Sequence, residues 1–225
     1  MQDNDRAYEV QPVEPDLVLR QARALTGKIA VAAVKIGIPG SAATASPRDK
    51  VSPWPLASTG SSTTGSSGCS ARNARITCAI ASALAALAPL LPLVTVLTPN
   101  GPEALALSGH ATPDPQAQAR ALRALGCRHV LITGGHGDEE ANQVVNRWYA
   151  PGAESGDDPP ATQQWRWQRL DGGFHGSGCT LASAIAGQLA LGMPTGCALD
   201  QAQYYCHAAL RDAYTVAPGQ RIPLR

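Results

Sequence analysis

Three short apolar runs do most to limit what this chain can fold into: AVAAVKIG (30–37), LVTVLT (93–98) and HVLIT (129–133). Each is short enough for a strand, and each stops at a strand breaker: Gly37, Pro99 and the pair Gly134–Gly135. The runs are mainly apolar rather than alternating, as strands covered on both faces of a parallel sheet are. Helical patterns lie between and around them. Residues 13–25 (VEPDLVLRQARAL) place Leu17, Leu19 and Leu25 among the apolar positions, 76–90 (ITCAIASALAALAPL) runs to Pro89, and 115–125 is amphipathic. Two more helices are expected at about 180–191 and 197–213. QVVNRWY (143–149) and QWRWQRL (164–170) alternate enough for exposed or edge strands, joined by the polar hairpin PGAESGDDPP. Strands alternating with helices predict an α/β fold with a parallel sheet covered on both faces.

Residues 38–75 differ. They are rich in Ser, Gly, Pro and Thr, and STGSSTTGSSG (58–68) is of low complexity. Such a composition cannot bury a core, so a loop or flap is expected over 46–75. The 225 residues suit one domain, 1–225, and show no internal repeat.

With 18 basic and 17 acidic residues the net charge is +1, so no nucleic-acid partner is expected. Aromatic residues are 4%, too few for base-stacking platforms. The most apolar stretch, 79–97, is broken by Ser82, Pro89 and Pro92, and no membrane span is expected. MQDNDRAYEV lacks a basic start followed by an apolar core, so no signal peptide is expected. Cys69, Cys78, Cys127, Cys179, Cys197 and Cys206 are spread without a CxxC pair, which argues against a disulfide framework or zinc site and for a reducing cytoplasm.

Three strand- or helix-end segments carry chemistry. HGSGCT (175–180) places Gly176 and Gly178 before a helix, where the backbone can approach a ligand closely. A helix N-terminus offers unpaired N–H groups and partial positive charge, an anion site suited to phosphate. Such a field also favours thiolates, so Cys179 could serve as base or nucleophile; a glycine-rich cap with a buried thiol is the plainer alternative. TPNGPE (98–103) sets Asn100 and Glu103 after an apolar strand. An amide and a carboxylate there can hold hydrated Mg²⁺, or simply cap a helix. ITGGHG (132–137) puts Thr133, Gly134, Gly135 and His136 where a nucleotide could contact them, or where a plain turn would suffice.

In combination these segments resemble the ribokinase superfamily, and within it the hydroxymethylpyrimidine and phosphomethylpyrimidine kinases of thiamine biosynthesis. The resemblance rests on VKIGIPGSA (34–42), LLPLVTVLTPNGPEALALSG (90–109), VLITGGHG (130–137) and HGSGCTLASAIAGQLALG (175–192). It implies a three-layer α/β/α fold with a mainly parallel sheet, and transfer of the ATP γ-phosphate to a hydroxymethyl group. It casts Cys179 as the base, and the N–H groups of Gly176, Ser177 and Gly178 as stabilisers of the transferring phosphoryl. Asn100 and Glu103 would organise Mg²⁺ and the triphosphate. Thr133, Gly134, Gly135, His136 and His175 would lie toward the nucleotide. A small-molecule acceptor and a homodimer are expected on the same ground.

The chain also departs from that pattern. The strand and glycine-rich segment with which such kinases open are expected to be missing, and VSPWPLASTG (51–60) stands where an Asp-Pro would be. Three alternatives follow: a truncated or decayed nucleotide-binding homologue without catalysis, a pyridoxal or pyridoxine kinase, or a thiol hydrolase using His175 and Cys179. Trp148, Trp165 and Trp167 read as packing or edge-strand residues, His207 as a surface or core residue, and the other cysteines as small hydrophobes.

Overall fold

The computed structural model describes residues 13–37, 58–60, 87–135, 142–152 and 161–225. Among the described residues, six strands form one sheet in chain order: β1 (Val34–Ile36), β2 (Ser58–Gly60), β3 (Val96–Leu97), β4 (His129–Ile132), β5 (Gln143–Tyr149) and β6 (Gln163–Gln168). Strands β1 to β4 run parallel, with Lys35 opposite Thr59, Thr59 opposite Val96, and Val96 opposite His129. β5 and β6 are antiparallel, pairing Val130 with Tyr149 and Asn146 with Trp165.

The two-residue period of a strand sorts the side chains to opposite faces. Leu97, Val130 and Ile132 face one way, into a core with Ala104 of α2 (Gly101–Ser108) and Ala119 and Leu122 of α3 (Pro115–Ala124). Val96 and Leu131 face the other way. They meet Leu181 and Ile185 of α4 (Ser177–Ala190) and Leu199 and Ala202 of α5 (Thr195–Arg211). Three layers result, and every residue of β4 is buried, as the unbroken apolar run requires. Each fully buried Leu, Ile or Val contributes about 1.5–3 kcal/mol relative to an exposed one, which makes these two cores the main source of stability. The tryptophans of the hairpin pack onto α5: Trp165 Nε1 donates to Asp200, and Trp167 stacks on His207 with ring centroids 4.7 Å apart. A first helix, α1 (Pro15–Thr26), begins with Pro15 in its first turn and buries none of its own side chains.

Several expectations are corrected here. Ser58–Gly60, part of the stretch expected to be a loop or flap, is a strand between β1 and β3; the rest of 46–75 lies outside the described residues. Within the helix expected over 76–90, residues 76–86 also lie outside them. Ala88–Leu93 is a 3₁₀ helix, since Pro92 has no N–H to extend an α-helix. α2 was anticipated only as the alternative in which Asn100 and Glu103 cap a helix, with no range set for it, although Asn100, Pro102 and Gly109 punctuate it. Strand β1 is three residues rather than eight, and α4 starts at Ser177, ahead of the expected 180.

Candidate active site

The loops that follow β3 and β4, and the segment between β6 and α4, carry two groups of residues. The first is built on β3 and β4. Past β3, Asn100 is the N-cap of α2: its Oδ1 accepts the Glu103 N–H at 2.9 Å, and Glu103 Oε2 accepts the Asn100 N–H at 3.0 Å. Both side chains are buried, Glu103 at 2% exposure. This reciprocal capping box shows that the structural reading of the pair is correct for these atoms. Past β4, Thr133 forms a parallel bridge to Asn100, and its N–H donates to the Pro99 carbonyl at 2.8 Å, which locks the two loops together. Gly134 has no alternative to glycine, because a Cβ would stand 2.5 Å from the Val145 carbonyl oxygen of β5. Its N–H donates to Asn146 Oδ1 at 2.9 Å, and the Gly135 carbonyl accepts from Arg169 at 3.2 Å. Asn146 in turn donates to Gln203 of α5 at 2.6 Å, and Trp167 Nε1 donates to the same Gln203 oxygen at 3.1 Å. The glycine loop is therefore held from behind by a buried polar chain. His136 lies outside the described residues.

The second group is the start of α4. Gly176 is its N-cap at φ 87°, a left-handed conformation that favours glycine, and no side chain caps the helix. The first intrahelical bond runs from the Thr180 N–H to the Gly176 carbonyl at 2.9 Å, and the Thr180 hydroxyl donates to the same oxygen at 2.8 Å. The N–H groups of Ser177, Gly178 and Cys179 therefore have no acceptor within the helix. The set differs by one residue from Gly176, Ser177 and Gly178, because the helix starts earlier than expected and brings the Cys179 amide into its first turn. His175 is held by its backbone N–H on the Arg221 carbonyl at 2.9 Å, and the Arg221 guanidinium lies over the Phe174 ring. Arg225 brings a second guanidinium against Gly176, where a Cβ would stand 2.7 Å from its Nη2.

Cys179 is partly exposed, and Lys35 of β1 places its ammonium 3.7 Å from the sulfur. Among the described residues, that contact, rather than one with His175, is the polar partner of the thiol. The deeper thiols differ in kind. Burial pushes Cys127 up to about 12 and Cys206 up to about 11, so both stay protonated, and Cys206 donates to the Ser177 carbonyl at 3.6 Å.

The residues named from sequence thus fall into two clusters, Asn100–Glu103–Thr133–Gly134–Gly135 and Gly176–Ser177–Gly178–Cys179, with His175 leading into the second. Sequence reasoning missed Lys35, Asn146 and Arg169. The signal for Lys35 was present, as a lone cation inside an apolar strand run. Among the described residues no three His, Cys, Asp or Glu side chains converge on one point. The one carboxylate at the end of β3 fits Mg²⁺ all the same, since that ion commonly takes one or two carboxylates and keeps its waters and substrate phosphates. No helix among the described residues is long and apolar enough to cross a membrane.

Comparison with known proteins finds relatives by sequence and by fold. The hydroxymethylpyrimidine/phosphomethylpyrimidine kinase of Synechococcus elongatus is 38% identical over 130 residues, covering 55% of this chain and 45% of that protein. The chain spans about half the length, or less, of the curated relatives it matches. The ADP complex of Bacillus subtilis pyridoxal kinase superposes with a TM-score of 0.76 at 25% identity, over 98% of this chain and 80% of that one. The phosphomethylpyrimidine kinase of Clostridium difficile superposes with a TM-score of 0.64 at 23% identity, over 91% and 80%. The second likeness concerns the fold alone. The family model described as phosphomethylpyrimidine kinase matches residues 69–223, more than half of the sequence, and the chain belongs to that family.

Proposed function

We propose that this chain transfers the γ-phosphate of ATP to the hydroxymethyl group of 4-amino-5-hydroxymethyl-2-methylpyrimidine, and then phosphorylates the monophosphate, in thiamine diphosphate biosynthesis. The observation that carries the reading is the first turn of α4. A left-handed glycine cap, three N–H groups without intrahelical acceptors and a partly exposed thiol share one helix end. Phosphoryl transfer asks for little covalent work from a protein and much electrostatic positioning. In this reading the N–H groups of Ser177, Gly178 and Cys179 face the transferring phosphoryl oxygens. The Cys179 sulfur takes the acceptor hydroxyl proton. Thr133, Gly134, Gly135, His136 and His175 border the nucleotide. Asn100 and Glu103 would hold Mg²⁺ through its waters, and the ion would supply charge neutralisation at the triphosphate. A cytoplasmic homodimer acting on a small molecule, with neither nucleic acid nor membrane as partner, completes the proposal.

A second reading, phosphorylation of pyridoxal, is favoured by the likeness to the Bacillus subtilis enzyme over nearly the whole chain. ATP consumption with hydroxymethylpyrimidine, its monophosphate and pyridoxal as parallel acceptors separates the two. Turnover with both pyrimidines and little with pyridoxal is expected. Turnover with pyridoxal alone would establish the second reading, and turnover with none of the three would leave a nucleotide-binding homologue without catalysis.

A further inference from the structure

Lys35 occupies the middle of β1, and its backbone pairs with that of Thr59 in β2. A position inside a parallel strand normally takes an apolar side chain, and lysines are almost never enclosed there without a partner. Lys35 is half-buried, and its Nζ reaches Cys179 Sγ at 3.7 Å across 144 residues of sequence. A cation at that distance favours negative charge on the sulfur, the more so in a partly enclosed site where the effective dielectric is well below that of water.

We propose that Lys35 is the positioning residue that pairs with the Cys179 sulfur and orients it to accept the proton of the acceptor hydroxyl. The proposal rests on the reading of Cys179 as base. In the step it serves, the hydroxyl proton passes to Sγ, which becomes a thiol, while the hydroxyl oxygen bonds to the γ-phosphorus. The bond from that phosphorus to the bridging oxygen breaks, and its electron pair leaves on the β-phosphate of ADP. Lys35 keeps its proton throughout. Its effect on the acceptor is exerted through Cys179.

The test is peptide-resolved alkylation with iodoacetamide at neutral pH on the full chain, alongside steady-state kinetics. Exposed Cys197 serves as internal reference, and buried Cys127 and Cys206 report folding by remaining unlabelled. K35M is expected to slow alkylation of Cys179 by about tenfold, with Cys197 unchanged. K35R, which keeps the cation, should recover most of the wild-type rate. In the kinetics, kcat should fall in K35M while KM for ATP holds. If K35M exposes Cys127 or Cys206, K35Q replaces it. Equal Cys179 alkylation in the folded neutral variant and wild type would overturn the proposal, as would K35R reacting as slowly as K35M. Should the wild type consume no ATP with any acceptor, yet K35M still slow Cys179 alkylation, the pairing stands and the kinase reading alone fails.

Discussion

Glu103 has a structural task that is visible and a catalytic task that is proposed, and two substitutions separate them. Glu103→Gln keeps an oxygen for the Asn100 N–H, since glutamine also completes a capping box, but removes the charge. Stability should stay within about 0.5 kcal/mol of wild type while the Mg²⁺ titration of turnover moves to higher concentration. Glu103→Ala should cost about 1 kcal/mol as well, read from denaturant unfolding. A metal titration unchanged in both variants would leave Glu103 with the cap alone. Cys179→Ala should abolish turnover and leave ATP affinity intact, measured by the acceptor assay and by calorimetry; persistent turnover would remove Cys179 as base. These residues were legible because their neighbours in sequence define them: a glycine pair before a thiol, and an amide three residues before a carboxylate. Lys35 was not, because its meaning lies in a contact formed only when β1 and α4 come together.

At the level of elements, β4 and β5 cooperate to hold the glycine loop. Asn146 accepts from the partly buried Gly134 and donates to Gln203, and both of these amide side chains are buried. Asn146→Ala leaves the partly buried Gly134 N–H without its acceptor, while the Gln203 carbonyl keeps Trp167 Nε1 as a donor, so a loss of about 1–2 kcal/mol is expected from urea unfolding. Asn146→Asp, which keeps the acceptor for Gly134, should recover part of it. A loss below about 0.5 kcal/mol for the alanine variant would show that the chain of hydrogen bonds is dispensable. The clearly patterned elements α3, β4, β5, β6 and α5 could be read in sequence because burial imposes their pattern, an unbroken apolar run in β4 and a period in the others. α2 could have been found from its Asn100 cap, Pro102 and the left-handed Gly109, but its eight residues form too short a helix for a clear apolar face. β2 was hidden for the opposite reason. Ser58, Thr59 and Gly60 carry no apolar signal, and their strand conformation comes from pairing on both sides with β1 and β3.

For the whole molecule, pH is a direct probe of how tightly the sheet and hairpin are joined. His129 of β4 accepts a hydrogen bond on Nδ1 from Trp148 of β5 at 3.3 Å. Burial first, then the charges of Arg128 and Arg123, lower its pKa from 6.5 to about 4. The unfolded chain therefore takes up this proton before the folded one does. The contribution is fully present above pH 6.5 and declines as pH falls toward about 4. Urea midpoints recorded across that window should fall with pH, and His129→Gln should flatten the slope. An equal slope in wild type and variant would mean that His129 takes up its proton over the same pH range in the folded and unfolded chain. The three-layer class was legible at this scale, since alternating apolar runs and helices allow few other arrangements. The pairing of α4 with β1, which completes the thiol's surroundings, was not.

The central claim is that the first turn of α4 receives the transferring phosphoryl group. A crystal structure of the chain with a non-hydrolysable ATP analogue and hydroxymethylpyrimidine tests it most directly. The account predicts the γ-phosphate within hydrogen-bonding distance of the Ser177, Gly178 and Cys179 N–H groups, with the acceptor hydroxyl facing Cys179 Sγ. A triphosphate bound elsewhere, with that helix end covered by protein, would contradict it.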